Sequence, residues 1–333
     1  MFCSKIEQKR LMFNRKLISK KKIIVSDGIA GGGKLLICNL LSSLPQVDQW
    51  IADPTIEQQV ALNKLKISNL DTCSYIIKTN HNRTVYDSSM MRSSNFRKSD
   101  RSSVTNHPRF KSFKKRMGSN DEKIYKKNEN KIFTHYLTHM TSNSSEAIFK
   151  AFESKLIFIQ LLRSPLTLEM ILHLVKWSKK WEKIKSRDGY VKLYNKNYRK
   201  NYPYFINERH KEYLKANYFE KAVIILSYIY DQKKSDLSNF KKKYKSRVVT
   251  IPFEKLIVDP YFYIKKISRI LNVKIDNVVK KTMKKNNVPR KFDFEKNQNL
   301  GFEFIKNKIR KKYLNELIGI NQFYEKKYLG QFK

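Results

Sequence analysis

The spacing of apolar positions changes along this chain, and the changes mark out its elements. "KKIIVSDG" is a short β-branched run ending in a turn residue; closely spaced glycines follow, then "KLLICNLLSSL", whose leucines recur at helical spacing. The pattern predicts strand, glycine loop and helix over residues 22–43. A second helix is expected from Thr55, after Pro54, with Glu57 and Gln58 near its first turn. Residues 80–130 are rich in Ser, Asn, Arg and Lys and poor in apolar periodicity, which predicts an irregular insertion or mobile loop of the sort that covers a site.

Lys155 to Leu162 is a nearly unbroken apolar run, as in strands buried on both faces of a parallel sheet, and Ser164 with Pro165 stand as helix N-cap and first helical residue. Arg163 then falls at the carboxyl end of a central strand. "ERHKEYLKANYFEKAVIILSYIY" reads as one long helix, and "RVVTIPFEKLIVDPYFYIKKISRILNV" as strand, loop and a helix capped by Asp259 with Pro260 first. Strands alternating with helices imply an α/β fold, a three-layer sandwich around a central, mostly parallel sheet. The expected organisation is a basic N-terminal segment (1–21), an α/β domain (22–292) with its insertion at about 80–130, and a lysine-rich C-terminal helical segment (293–333) packed on the outside.

The formal charge of +41 suggests an anionic partner. Basic residues are spread along the chain, however, and Lys, Asn and Ile are abundant throughout. The charge is therefore read as a field that attracts an anionic substrate, and binding of nucleic acid is the less favoured reading. No run of eighteen apolar residues occurs, and the opening "MFCSKIEQKRLMFNRKLISKKK" is too charged for a signal-peptide core, so a cytoplasmic protein with no integral membrane segment is expected. Cys3, Cys38 and Cys73 are odd in number and lack CxxC spacing, which argues against a disulfide framework and a zinc site; no metal is expected.

Four of the nine glycines, Gly28, Gly31, Gly32 and Gly33, fall within six positions. Between a strand and a helix they let successive N–H groups turn toward one anion, at a helix end that already carries partial positive charge. A purely structural tight turn is the competing reading. The run from Gly28 through Gly33 to Lys34 fits the P-loop spacing, but Leu35 stands where Ser or Thr would hold magnesium. A kinase-like nucleotide-binding protein is thus the alternative rather than the first reading.

Three stretches in order resemble the sulfotransferase family: the glycine loop with "LLICNLLSSLPQV", the strand and turn "LIFIQLLRSPLTLEMILH", and "VVTIPFEKLIVDPYFYIKKISRILNV", which ends in Leu-Asn-Val where the family has Leu-Gly-Val. The resemblance covers about residues 22–292. It implies a P-loop NTPase-like fold, 3′-phosphoadenylyl sulfate (PAPS) as donor, its bisphosphate (PAP) as product, and an acceptor hydroxyl on an unknown partner such as a carbohydrate or lipid. It further implies donor contacts from Gly28, Gly31, Gly32, Gly33, Lys34 and Leu35. Aligned on Leu35-Leu36, the family's basic loop residue becomes Ala30 and its hydroxyl pair becomes Gly33-Lys34, so Lys34 is left to neutralise charge.

Arg163 is suited to a bidentate hold on the 3′-phosphate, with Ser164 beside it and Arg290 in a late basic loop. The family's helical Ser is Ile171 here, leaving Ser164 and Thr167 as substitutes. The attacking hydroxyl needs a base, and Thr138-His139-Met140 resembles the family's Thr-His-hydrophobic element, so His139 is the candidate, with His135 in reserve. Glu254 is expected to order its turn, and the tyrosine-rich stretch at 189–205 to be a packed loop in preference to an acceptor-binding wall.

Overall fold

The computed structural model describes residues 15–117, 121–128, 131–183, 190–231 and 236–330. Four strands form one sheet: β1 (Ile23–Gly28), β2 (His135–Leu137), β3 (Leu156–Leu162) and, after the small antiparallel hairpin of β4 (Lys192–Asn195) and β5 (Lys200–Pro203), β6 (Arg247–Pro252). Their order is β2-β1-β3-β6, and each pairing is parallel. Ile24 lies between His135 on one side and Ile157 on the other. β1 and β3 are therefore central, and the sheet needs helices on both faces because parallel strands must be joined by crossovers.

Alternation along the strands sorts the core into two layers. Ile24, Ile157 and Ile159 pack with Ile37 and Leu40 of α1 (Lys34–Ser42) and with Ile264 and Ile267 of the Pro260–Leu271 helix. On the opposite face Ile23, Val25, Leu156 and Phe158 pack with Ile56 and Val60 of α2 (Pro54–Lys64) and Cys73 and Ile77 of α3 (Leu70–Ser89). A third cluster joins the Leu168–Trp181 and Tyr218–Tyr230 helices to the hairpin and the C-terminal helices.

Several boundaries differ from the sequence pattern. Residues 80–89 continue α3, because Ile77, His81 and Val85 form a buried stripe, with His81 edge-on to Tyr136 and Phe152. The remainder of that region contains the short helices Phe110–Lys114 and Asp121–Asn128. The helix after β3 starts at Leu168 with Thr167 as N-cap, since Ser164 is committed to other partners. The long helix expected from 208 is divided into His210–Lys215 and Tyr218–Tyr230, where Asn217 and Glu220 form a capping box.

Asp259 caps the next helix with Pro260 at its first turn, as the pattern predicts. The Leu-Asn-Val ending of that helix places Asn272 in the left-handed region (φ 53°), a conformation that Asn tolerates better than most residues after Gly. The C-terminal segment holds two helices, Phe294–Ile305 and Lys311–Tyr324, and Tyr313, Leu317 and Tyr324 are completely buried. These helices pack their apolar faces into the third cluster, while Lys308, Lys311 and Lys312 stay exposed. Residues 1–14 of the basic N-terminal segment lie outside the described residues. None of the described helices is long and apolar enough to cross a membrane.

Candidate functional site

The glycine loop joins the carboxyl end of β1 to α1. Gly31 (φ 81°) and Gly33 (φ 87°) occupy the left-handed region, where a side chain would be strained. Space is equally restrictive: a Cβ on Gly33 would stand 2.2 Å from the Phe253 ring, and one on Gly31 2.8 Å from His173. Gly28 ends β1 so close to β3 that a Cβ would meet the Leu161 carbonyl oxygen at 2.6 Å. Gly32 N–H donates to the Ile29 carbonyl at 3.1 Å. The N–H groups of Gly31, Gly33, Lys34 and Leu35 have no acceptor among the described residues. The Leu35 side chain packs with Cys38, Trp50 and Leu137, so what it offers the loop is its backbone.

Lys34 turns back under the loop, its ammonium donating to the Gly28 carbonyl at 2.5 Å and the Ile29 carbonyl at 3.2 Å. Burial pulls its pKa down to about 8, against the opposing charges of Asp27 and Glu57. Asp27 is completely buried and accepts from Thr138 Oγ1 (2.9 Å), Thr141 N (3.0 Å), Thr141 Oγ1 (2.9 Å), Ser142 N (3.0 Å) and Ser142 Oγ. These bonds tie the end of β1 to the turn after β2, and that turn carries His139.

His139 Nδ1 lies 2.7 Å from Glu57 Oε1 of α2, and the ring stands edge-on to Tyr190 with centroids 5.2 Å apart. With a carboxylate as partner Nδ1 is the donor, which leaves Nε2 of the neutral ring as an acceptor. Side-chain exposure is 20% for His139 and 10% for Glu57. Because Glu57 also acts on Lys34, one carboxylate couples the two candidate catalytic groups. His135 differs: it is completely buried, with Nε2 2.9 Å from Ser26 Oγ, and burial pushes its pKa down to about 3. It stays a neutral core residue out of reach of an acceptor.

Arg163 closes the other side of the loop. Its Nη1 donates to the Gly31 carbonyl at 2.9 Å and its Nη2 to Glu169 at 3.3 Å, while the guanidinium carbon lies 4.6 Å from the Phe253 ring centroid. Its Nε is buried without an acceptor among the described residues. Burial lowers its pKa; Glu254 and Glu169 oppose this, and nearby Arg290 adds to it. Arg290 is exposed and held by its backbone N–H on the Ile257 carbonyl, 2.9 Å away.

Ser164 and Thr167 are not brought to the loop. Both are completely buried. Ser164 Oγ donates to Asn321 Oδ1 at 3.1 Å and accepts from Gln298 at 3.3 Å; Thr167 Oγ1 donates to the Ser164 carbonyl at 3.1 Å. Glu254 accepts from Ser164 N at 2.8 Å and from the Tyr324 hydroxyl, fastening the turn after β6 to β3 and the C-terminal helix.

The fold thus gathers Gly31, Gly33, Lys34, Leu35, Arg163 and His139 at the carboxyl edge of the sheet, with Arg290 near Arg163. The pairing of Glu57 with His139 was not visible in sequence: Glu57 reads as a first-turn helix acid, and the partners stand 82 positions apart with no signal that joins them. Tyr190 and Phe253 were missed in the same way. The tyrosine-rich stretch is a packed hairpin with Tyr202 and Tyr204 buried, apart from the contact of Tyr190 with His139. Among the described residues no group of three or more His, Cys, Asp or Glu is arranged to hold a metal.

No family model matches the chain, and no curated protein matches it. Among solved structures it is similar to the sulfotransferase domain from the Synechococcus PCC 7002 olefin synthase, with 10% identity, 95% of this chain and 98% of that one covered, and a TM-score of 0.44. The sulfotransferase domain from the curacin biosynthetic pathway is 11% identical over 92% of this chain and 98% of its own, with a TM-score of 0.38. Sulfotransferase STF9 from Mycobacterium avium is 11% identical over 86% and 76%, with a TM-score of 0.37.

Proposed function

We propose that the chain is a sulfotransferase that moves a sulfuryl group from 3′-phosphoadenylyl sulfate to an acceptor hydroxyl. One observation carries this reading: four backbone N–H groups of the loop and the first turn of α1, without acceptors among the described residues, and a buried lysine lie with a histidine held by a carboxylate at one edge of a parallel sheet. Unpaired amides at a helix N-terminus suit a phosphosulfate. The sequence resemblance adds the order of the motifs and the nature of the donor.

In this mechanism the amides of Gly31, Gly33, Lys34 and Leu35 hold the phosphosulfate, and Arg163 with Arg290 holds the 3′-phosphate. Arg163 exchanges its present contacts with Gly31 and Glu169 for that phosphate. His139 Nε2 takes the acceptor's proton as the acceptor oxygen bonds to sulfur, and Glu57 stabilises the imidazolium that forms. The sulfur–oxygen bond to the phosphate breaks, its electron pair stays on the phosphate oxygen, and Lys34 offsets the charge that grows there.

Titration calorimetry with adenosine 3′,5′-bisphosphate, with and without EDTA, tests the reading. Binding independent of EDTA and weakened at least tenfold in Lys34→Ala is expected. Absence of bisphosphate binding, or binding of ATP only with magnesium, overturns it.

A further inference from the structure

A cavity of 340 Å³, at the lower end of the range of small-molecule sites, opens between residues 48–54 and α3. Its position follows from the register of the sheet edge. Ile51 N donates to the His135 carbonyl and Leu137 N to the Ile51 carbonyl, each at 2.9 Å, so residues 47–51 run beside β2 in parallel. Asp53 follows Ile51 by two residues, as Thr138, the residue before His139, follows Tyr136. Asp53 lines the cavity and caps α2, accepting from Thr55 N at 2.9 Å; one turn later, about 5 Å along the helix, Glu57 holds His139. The opposite wall comes from α3 and from residues 91–104, inside the polar region that reads from sequence as a cover for a site.

The lining reverses the charge balance of the chain. Against 70 Lys and Arg and 29 Asp and Glu overall, the cavity has Asp48, Asp53 and Asp87 with Arg83 as its one lining cation. Asp48 is paired with Arg116 at 3.1 Å, which leaves Asp53 and Asp87 as the acidic groups. Asp53 also accepts from Asn80, and Asp87 accepts from Ser93 Oγ at 3.1 Å; a carboxylate has acceptor sites beyond those uses. Trp50, only 6% exposed, lines the cavity, and its indole N–H is buried with no acceptor among the described residues.

These features select a ligand by exclusion. Two carboxylates disfavour an anion, the +41 field of the whole molecule disfavours a cation, and an apolar ligand would strip water from the carboxylates without replacing it. A neutral ring with several hydroxyls fits: it donates to Asp53 and Asp87, accepts from Arg83, and lays its C–H face on Trp50 and Met91. We propose that this cavity binds a neutral sugar. The binding stands on the cavity alone; its service as the acceptor side, with one hydroxyl presented to His139, rests on the sulfuryl-transfer reading.

Saturation-transfer NMR on the full chain, using methyl glucoside, methyl galactoside and N-acetylglucosamine with spermidine and phenol as contrasts, tests the proposal. Transfer to at least one glycoside is expected. It should disappear in Ala52→Trp, which fills the cavity from an exposed position, and its Kd should rise about tenfold or more in Asp87→Ala through loss of a charged hydrogen bond. Transfer to no glycoside, transfer to spermidine or phenol alone, or glycoside transfer that survives Ala52→Trp overturns it. Bisphosphate affinity measured on the same samples reports folding and separates the two readings. Bisphosphate without glycoside binding sinks the sugar pocket alone, and glycoside without bisphosphate binding sinks the transferase alone.

Discussion

Gly33→Ala tests the architecture of the loop most directly. The new methyl keeps a residue at φ 87°, which costs about 1–2 kcal/mol for any side chain in the left-handed region. It also enters the Phe253 ring, with 2.2 Å to Cδ2 and 2.5 Å to Cε2, where ordinary contact requires roughly 3.5–4 Å. The ring cannot simply withdraw: Phe253 is 7% exposed and carries the Arg163 guanidinium at 4.6 Å. Overpacking of this kind costs about 1–3 kcal/mol, so the sum is roughly 2–5 kcal/mol. Urea denaturation of wild type, Gly33→Ala, Phe253→Ala and the double variant separates the two contributions. The backbone cost should persist in the double variant while the steric cost vanishes, giving a coupling energy of about 1–3 kcal/mol in favour of the pair. Additivity within about 0.5 kcal/mol would refute the idea that Phe253 is packed onto the loop, and with it the route by which Arg163 is held there.

Two further predictions concern the chemistry. Glu57→Gln should lower turnover on the order of a hundredfold, by unsettling the tautomer of His139, while bisphosphate affinity stays within about twofold; steady-state kinetics beside calorimetry checks this, and equal loss in both would assign Glu57 a structural role. Lys34, with a folded pKa of about 8 against an ordinary 10.5, should lose its charge early, so bisphosphate affinity should fall as pH rises through about 8 in wild type but not in Lys34→Arg. The same shift fixes a stability sign. The unfolded chain binds the extra proton between pH 8 and 10.5, so wild type should gain stability relative to Lys34→Met across that window, as paired denaturation curves at pH 7 and pH 10 would show.

The parts of this protein decided by neighbours in sequence were legible from sequence alone. The run at Ile23–Gly28, the clustered glycines and the leucine spacing after Lys34 sufficed for strand, loop and helix, because β-branched preference, glycine's access to positive φ and helical periodicity all act within a few residues. The apolar run of β3 and the Asp259-Pro260 start of a helix were legible for the same reason. Segments whose conformation depends on distant partners were not. Residues 80–89 read as polar loop, yet they complete a helix because His81 and Val85 find buried neighbours. Ser164 reads as a cap, yet its N–H goes to Glu254 and its hydroxyl to Asn321, 157 positions away. The site divides along the same line. The glycine loop was visible from spacing, whereas the Glu57–His139 pair, the withdrawal of His135 and Ser164 into the core, and the acidic cavity beside Asp53 arise only when the parallel sheet sets its carboxyl edges side by side. Register aligns residues far apart in sequence, and no local pattern encodes which of them will face one another.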